Sequence, residues 1–130
     1  MKSETKEWLK FSEENLLSAK ILVHSYLYNP CLHNIQQSVE KALKSLVIEK
    51  TIRFIKTHSL TELKNYLQSN SVYIDISDEE CDFLDTIYLP TKYPLGSVLP
   101  DFNPDDEICL IYIQVAERVL DSVKYLLNNQ

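Results

Sequence analysis

The chain has 130 residues and carries 13 Lys and Arg against 19 Asp and Glu, a formal net charge of -6. One domain of ordinary size has this length, so residues 1–130 are expected to form a single domain. The acidic balance argues against a general nucleic-acid coat, because affinity for phosphate backbones comes from basic surface. A single glycine and long runs without proline exclude a turn-rich sandwich or barrel, so the composition predicts an all-α fold.

The cysteines and the N-terminal segment indicate the compartment. Cys31, Cys81 and Cys109 are odd in number and show no C-x-x-C spacing, which argues against a disulfide framework and against a zinc site. The charged N-terminus has no apolar signal region, and no apolar run approaches the roughly 20 residues that span a bilayer. We therefore expect a soluble cytoplasmic protein that needs neither a metal nor another cofactor.

The first predicted helix runs from about Ser3 to about Tyr28. Its seam consists of apolar residues seven positions apart, interleaved with others that are mostly small: Leu9, Ser12, Leu16, Ala19, Val23 and Tyr26. Asn29-Pro30 is typical of an N-cap followed by proline in the first helical position, so a second helix is expected to start there. The short connection predicts that these two helices form an antiparallel hairpin.

The second predicted helix has an apolar and a polar face. The apolar stripe recurs at steps of three and four: Leu32, Ile35, Val39, Leu43 and Leu46. The rest of the helix is polar, as in an ordinary two-faced core helix: Gln36, Gln37, Glu40, Lys41 and Lys44. The helix should end between Glu49 and Phe54, where β-branched residues precede a polar turn.

Two capping boxes predict the next helices. Ser59-Leu60-Thr61-Glu62 should start a short helix over Leu60 to Gln68, and Ser77-Asp78-Glu79-Glu80 should start another through about Leu89. Val72 to Ile76 alternate apolar and polar, but no second strand exists to pair with them, so an extended loop is expected. The acidic cluster from Asp75 to Asp85 is interpreted as solvation and capping, not as a metal site.

A long loop and a last helix complete the chain. Four prolines surround Gly96 between residues 90 and 104, and a loop of this length is often functional. Asn103-Pro104-Asp105-Asp106 repeats the cap-proline pattern and should open a helix to about Asn128. Its start, Ile108 to Ile113, is apolar all round, which predicts a position at the bundle centre or at an interface with a second subunit.

Three segments in order carry a resemblance to a known family. They are the helix Gln36-Gln37-x-x-Glu40-Lys41-Ala42-Leu43-Lys44, the turn Lys56-Thr57-His58-Ser59-Leu60 and the loop Pro90-Thr91-Lys92-Tyr93-Pro94. Together they resemble the HEPN domain family (higher eukaryotes and prokaryotes nucleotide-binding domain) over nearly the whole chain. The resemblance implies an antiparallel up-and-down bundle of four or five helices. It also implies a homodimer that binds nucleotide or partners a nucleotidyltransferase.

Arg53 and His58 are the candidate catalytic pair. Their spacing resembles the Arg-x-x-x-x-His motif of HEPN ribonucleases, which implies metal-independent cleavage in a site shared by two subunits, as in the toxin of a toxin-antitoxin pair. A histidine can move the proton of an RNA 2′-hydroxyl, and a guanidinium can hold the phosphate. Phe54 departs from the motif, which usually has a polar residue there. The alternative is that Arg53 is a solvated cation and His58 a turn residue.

Four further residues are candidates for binding a nucleotide or its phosphate: Lys41, Lys56, Lys92 and Tyr93. The family usually has arginine where Lys92 stands, and lysine keeps the attraction for phosphate but loses bidentate geometry. Lys41 shares a polar helical face with Asn34 and Gln37, which could line the same cleft. Three functions stay open at this stage, namely a nucleotide-binding or nucleotidyltransferase-partner module, an endoribonuclease, and a structural dimer without ligand. The sequence therefore leaves it open whether the protein is an enzyme.

Overall fold

The computed structural model describes residues 1–50, 52–92 and 103–129, and for residues 89–92 it describes the backbone alone. The chain forms five helices in these ranges: α1 (Ser3–His24), α2 (Tyr28–Glu49), α3 (Leu60–Ser69), α4 (Asp78–Lys92) and α5 (Asp106–Asn128). No residue in the same ranges belongs to a strand. The all-α prediction is confirmed, and α1, α2 and α5 are the long members with 22, 22 and 23 residues. The predicted proline-rich loop lies largely outside the described residues.

Helix α2 is the central element of an antiparallel bundle. It contacts each of the other four helices, whereas α1 shares its largest interface with α2. Hydrogen bonds from Thr5 to Glu49 and from Ser12 to Ser38 show that α1 and α2 run in opposite directions. The buried apolar residues of all five helices join in one core. Within the described ranges, no helix has both the length and the apolar character that crossing a bilayer requires.

The start of α5 is only partly buried. Cys109 and Ile113 are buried, whereas Leu110 and Ile111 remain 48% and 46% exposed. The bundle centre is therefore α2 and not α5, and the apolar residues on the outer side of α5 are not covered by the described part of this chain.

The connection between α1 and α2 differs from the prediction. Helix α1 ends at His24 because Tyr26 takes a left-handed conformation with φ 61°. The amide of Leu27 then donates to the Leu22 carbonyl at 3.0 Å, which reverses the chain early. Helix α2 begins at Tyr28, so Asn29 is not its cap and Pro30 occupies the third position. Proline is tolerated there because the first amides of a helix have no partner within the helix.

The N-terminus of α3 uses half of the predicted capping box. The Ser59 hydroxyl accepts a hydrogen bond from the Glu62 amide at 3.1 Å, as predicted. The Glu62 carboxylate does not reach back to the Ser59 amide, because it accepts from the Thr57 hydroxyl at 2.6 Å. The Ser59 amide donates instead to the Thr57 hydroxyl oxygen at 3.1 Å.

Helices α4 and α5 confirm one predicted cap and correct another. The box of Ser77 and Glu80 is complete, with both amide bonds near 3 Å (2.9 and 3.1 Å). Helix α4 extends three residues beyond the predicted end, to Lys92. Helix α5 starts at Asp106, and its cap is Asp105, whose Oδ1 accepts from the Ile108 amide at 2.9 Å. The expected cap at Asn103 was therefore two residues early.

The segment from Val72 to Ile76 is an extended loop, as predicted. Apolar and polar residues alternate here because successive side chains point to opposite sides. The core buries Val72, Ile74 and Ile76, whereas Tyr73 and Asp75 are exposed. The Asp75 amide donates to the Ser122 hydroxyl at 3.2 Å and so ties the loop to α5. Packing against a helix thus replaces the missing partner strand.

Candidate functional site

The segment from residue 52 to residue 59 lies along one side of α2 and builds the candidate site. The Phe54 ring lies 5.9 Å from the Nζ of Lys44, and His58, four residues later, contacts Glu40, which is four residues earlier in α2. The segment therefore runs antiparallel to α2 and covers its polar side. Both Arg53 and His58 lie in this non-helical segment, because α2 ends at Glu49 as predicted.

The covered side chains form a buried polar network. Glu40 and Lys44 are only 3% and 6% exposed, and the Lys44 Nζ donates to the Glu40 Oε2 at 2.8 Å. Gln36 is fully buried, and its Nε2 donates to the Glu40 Oε1 at 3.1 Å and to the His58 carbonyl at 3.3 Å. The polar side of the predicted two-faced helix is thus buried at these three residues. A buried ion pair of this kind gains little net stability, because both charges lose their hydration.

His58 joins this network to the surface. Its Nδ1 lies 3.2 and 3.3 Å from the two carboxylate oxygens of Glu40, and its ring stacks on Tyr88 with centroids 4.6 Å apart. Because an ionised carboxylate only accepts hydrogen bonds, Nδ1 is the donor in this contact. Nε2 is left for a ligand, as an acceptor when the ring is neutral and as a donor when it is protonated. The His58 side chain is 51% exposed. The buried Glu40 carboxylate thus orients the imidazole, and solvent or a ligand can reach its exposed side.

Lysines and aromatic rings adjoin the network on the α1 side. The Lys44 Nζ lies 5.7 Å from the Trp8 ring centroid, and the Lys41 Nζ lies 5.9 Å from that of Phe11. Lys41 also donates to the Asn15 Oδ1 at 2.8 Å. These distances are in the range of cation–π contacts, so each ammonium is held against a ring face.

The amide side chains of α1 and α2 continue this polar surface. The Asn15 Nδ2 donates to the Asn34 Oδ1 at 2.9 Å, and the Gln37 Nε2 donates to the Gln36 Oε1 at 2.7 Å. Asn15 therefore joins Asn34 to Lys41, two members of the face that the sequence predicted. The three residues Asn34, Gln37 and Lys41 are all partly exposed.

No hydrogen bond joins the side chains of Arg53 and His58, the predicted catalytic pair, within one chain. Arg53 is exposed, its carbonyl accepts from the Tyr66 hydroxyl, and its guanidinium makes no hydrogen bond or ion pair with a described residue. Lys56 is exposed on the same segment. Lys92 is the last residue of α4, with its side chain outside the described part, and Tyr93 lies outside the described residues altogether. His58 thus has Glu40 as its partner and not Arg53.

Sequence reasoning missed Glu40, Lys44, Trp8 and Tyr88 as parts of the site. The spacing of Glu40 and Lys44, four residues apart, predicts an ion pair, but a surface pair has the same spacing. Their burial depends on the segment that covers them, and no local pattern reveals that contact. Among the described residues, no group of three or more His, Cys, Asp and Glu side chains is arranged to hold a metal ion.

Comparisons with known proteins agree with this architecture. A family model described as HEPN domain matches residues 5–126. Among solved structures, ST0689, described as an archaeal HEPN homologue, shares 25% sequence identity at a TM-score of 0.73, covering 98% of this chain and 99% of that one. TT1696 from Thermus thermophilus shares 20% identity at a TM-score of 0.70, covering 95% and 98%, and so supports the fold alone. A search of the curated proteins finds no match.

Proposed function

Because the chain belongs to the HEPN domain family, we propose that it is a nucleotide-binding module whose phosphate site is built around His58. The observation that carries this proposal is the half-exposed His58 ring, held at 3.2 Å by the buried Glu40. Two exposed cations, Arg53 and Lys56, lie on the same short segment. Phosphate groups are bound by cationic and hydrogen-bonding side chains of these kinds.

The charge distribution supports an anion at this place. The carboxylate of Glu40 is neutralised by Lys44 at 2.8 Å, so it does not repel a phosphate from the surface above it. Other acidic residues are paired with cations of their own, such as Asp78 with Lys64 and Glu80 with Arg118. Glu62 and Asp85, which lie nearer, accept hydrogen bonds from Thr57 and Ser59. These contacts support the proposal of a local basic site on a chain whose net charge is -6.

The second candidate function is a metal-independent endoribonuclease. The Glu40–His58 contact favours it, because a carboxylate that orients an imidazole is a recurrent arrangement for a general base. In this function His58 takes the proton of a 2′-hydroxyl, whose oxygen attacks the adjacent phosphorus while the 5′-oxygen leaves. In this function Arg53 holds the phosphate, and the HEPN resemblance implies that it comes from a second copy of the chain.

Both functions are tested by one set of variants. Fluorescence anisotropy with a labelled single-stranded RNA, and calorimetry with adenosine monophosphate, should give binding by the wild type. We expect His58→Ala and Lys56→Ala each to weaken binding by about tenfold, the effect of losing one charged hydrogen bond. His24→Ala, which alters an exposed histidine at the end of α1, is the matched control and should bind as the wild type does.

The outcomes separate the two functions. Intact RNA after incubation with a protein that binds it supports the binding module. RNA fragments that disappear with His58→Ala, and persist with His24→Ala, support the ribonuclease. A wild type that neither binds nor cleaves contradicts both and leaves the structural dimer without ligand.

A homodimer is part of the same proposal. Exposed apolar residues lie on the outer side of α1, where Leu17 and Ile21 are each 59% exposed, and on α5, where Leu110 is 48% exposed. Such residues mark interaction surfaces when they adjoin. Light scattering should give twice the mass of the chain, and Ile21→Glu with Leu110→Glu should halve it. If a nucleotidyltransferase covers this surface instead, the isolated chain will be monomeric and will bind that enzyme in a pull-down that the same variants abolish.

A further inference from the structure

We propose that Trp8, Phe11 and Phe54, here called the aromatic ledge, stack an unpaired nucleobase beside the His58 site. This inference rests on the proposed function and adds the part of the ligand that a phosphate site does not contact. It predicts a preference for nucleotides and single-stranded RNA over sugar phosphates or abasic strands.

The aromatic ledge has accessible ring surface. Phe11 and Phe54 are 46% and 40% exposed, although phenylalanine is a residue that cores usually bury. Trp8 is half-buried beneath them, and its ring centroid lies 6.3 Å from that of Phe54. An exposed ring face is what a base needs for stacking, and stacking tolerates any base because all of them have a π-face.

The surroundings of the ledge favour a nucleotide over an aliphatic partner. Ammonium groups lie within 6 Å of all three rings, with Lys41 over Phe11 at 5.9 Å and Lys44 near Trp8 and Phe54 at 5.7 and 5.9 Å. A nucleotide brings negative charge that complements the partly exposed Lys41, whereas Lys44 is already paired with Glu40. The partly exposed amide of Gln37, one turn before Lys41 on α2, offers a hydrogen-bonding group for a base edge.

The ledge is continuous with the phosphate site. Lys44 contacts Trp8, Phe54 and Glu40, and Glu40 in turn contacts His58. Phe54 and His58 also belong to the same extended segment. One buried ion pair therefore separates the ring that would carry the base from the imidazole that would meet the phosphate.

The test compares ligands that differ only in the base. The probes are hexa-adenylate against an abasic hexamer of the same charge, and adenosine monophosphate against ribose 5-phosphate. The first pair represents an RNA strand and the second a free nucleotide, so the preferred pair identifies the source of the base. We expect the wild type to bind the base-containing member of at least one pair about tenfold more tightly, in the range typical of one stacked base.

The variants assign this preference to the ledge. Phe54→Leu and Phe11→Leu keep an apolar side chain but remove the ring, and each should lower the base-dependent gain severalfold while leaving affinity for the abasic probe unchanged. Phe54→Tyr should retain the gain because it keeps the ring face. Tyr73→Ala removes an aromatic residue that is 65% exposed on another loop, and it should change nothing.

Three results would overturn the inference. If the probes with and without a base bind equally, and His58→Ala weakens the binding of every probe, the phosphate site is supported and the ledge does not bind bases. If no probe binds at all, the proposed function fails and this inference fails with it. If Phe54→Leu converts a dimer into a monomer by light scattering, the ledge is a contact between two copies of the chain and not a base platform.

Discussion

Ser12 on α1 and Ser38 on α2 exchange reciprocal hydrogen bonds across the helix interface. The Ser12 Oγ donates to the Ser38 carbonyl at 2.6 Å, and the Ser38 Oγ donates to the Ser12 carbonyl at 2.9 Å. Both side chains are fully buried. Each hydroxyl reaches the main chain of the opposite helix, which requires that the two backbones approach closely at this point.

This contact gives the first prediction. Ser38→Leu should destabilise the fold by about 2–4 kcal/mol, because it adds volume to a close contact and removes the buried hydrogen bond that the Ser38 hydroxyl donates. Ser12→Ala, which removes the hydroxyl without adding volume, should cost about 1 kcal/mol. Urea denaturation measures both. Ser18→Leu on α1, at a partly buried position, is the control, and an equal loss from that change would show that the serine contact has no special role.

The buried ion pair gives the second prediction. Glu40→Ala should destabilise the protein by about 3–5 kcal/mol, because it leaves the Lys44 ammonium, 7% exposed, without its carboxylate. The double variant Glu40→Gln with Lys44→Met should lose much less than the sum of the two single changes, since it removes both charges. Thermodynamic cycles from urea denaturation test this. Strictly additive losses would contradict the coupling.

Asp85 gives the third prediction. Its carboxylate, on α4, accepts from the amides of Leu60 and Thr61 at 2.6 and 3.2 Å and from the Ser59 hydroxyl at 3.0 Å. Asp85→Ala should therefore destabilise the fold by about 1–3 kcal/mol, the range for losing a helix cap and buried acceptors. Asp82→Ala, which removes one exposed bond to the Thr61 hydroxyl, should cost clearly less. The comparison fails if the two variants melt at the same temperature.

His33 gives the fourth prediction, on pH. Burial lowers the pKa of His33 from its usual 6.5, with Lys41 adding to the effect, and its Nδ1 is buried without a described hydrogen-bond partner. In the unfolded chain the His33 imidazole therefore takes up a proton near pH 6.5, whereas in the folded chain it does so only at lower pH. The contribution of His33 to stability is complete above that pH and is lost as the pH falls toward the folded pKa.

The measurement compares melting temperatures of the wild type and His33→Leu. Between about pH 7.5 and about pH 5.5, the wild type should lose more stability than the variant, because only the wild type carries this titrating group. His24→Leu, at an exposed position, should follow the wild type. Parallel curves for all three proteins would show that His33 does not contribute.

The sequence was sufficient where structure is set by local patterns. The apolar stripe from Leu32 to Leu46 predicted α2, and the Ser77 box predicted the start of α4, because spacing and capping act over a few residues. The left-handed Tyr26 was missed, since tyrosine gives no signal for that conformation. The burial of Glu40 was missed too, because the covering segment reaches it from 18 residues away along the chain. The site therefore required the folded chain, although His58 itself was predicted as a candidate.

The carboxylate of Asp85 lies 25 residues beyond the Leu60 amide that it caps. Helix α3 has only ten residues, which is too short to persist alone in water. Its first amides obtain a full set of acceptors only when α4 has docked, so α3 and α4 are expected to form as one cooperative unit and to open as one. In native-state hydrogen exchange, the Leu60 and Thr61 amides should then have the same opening free energy as the amides in the middle of α4. A fraying helix end would instead give them a much lower value.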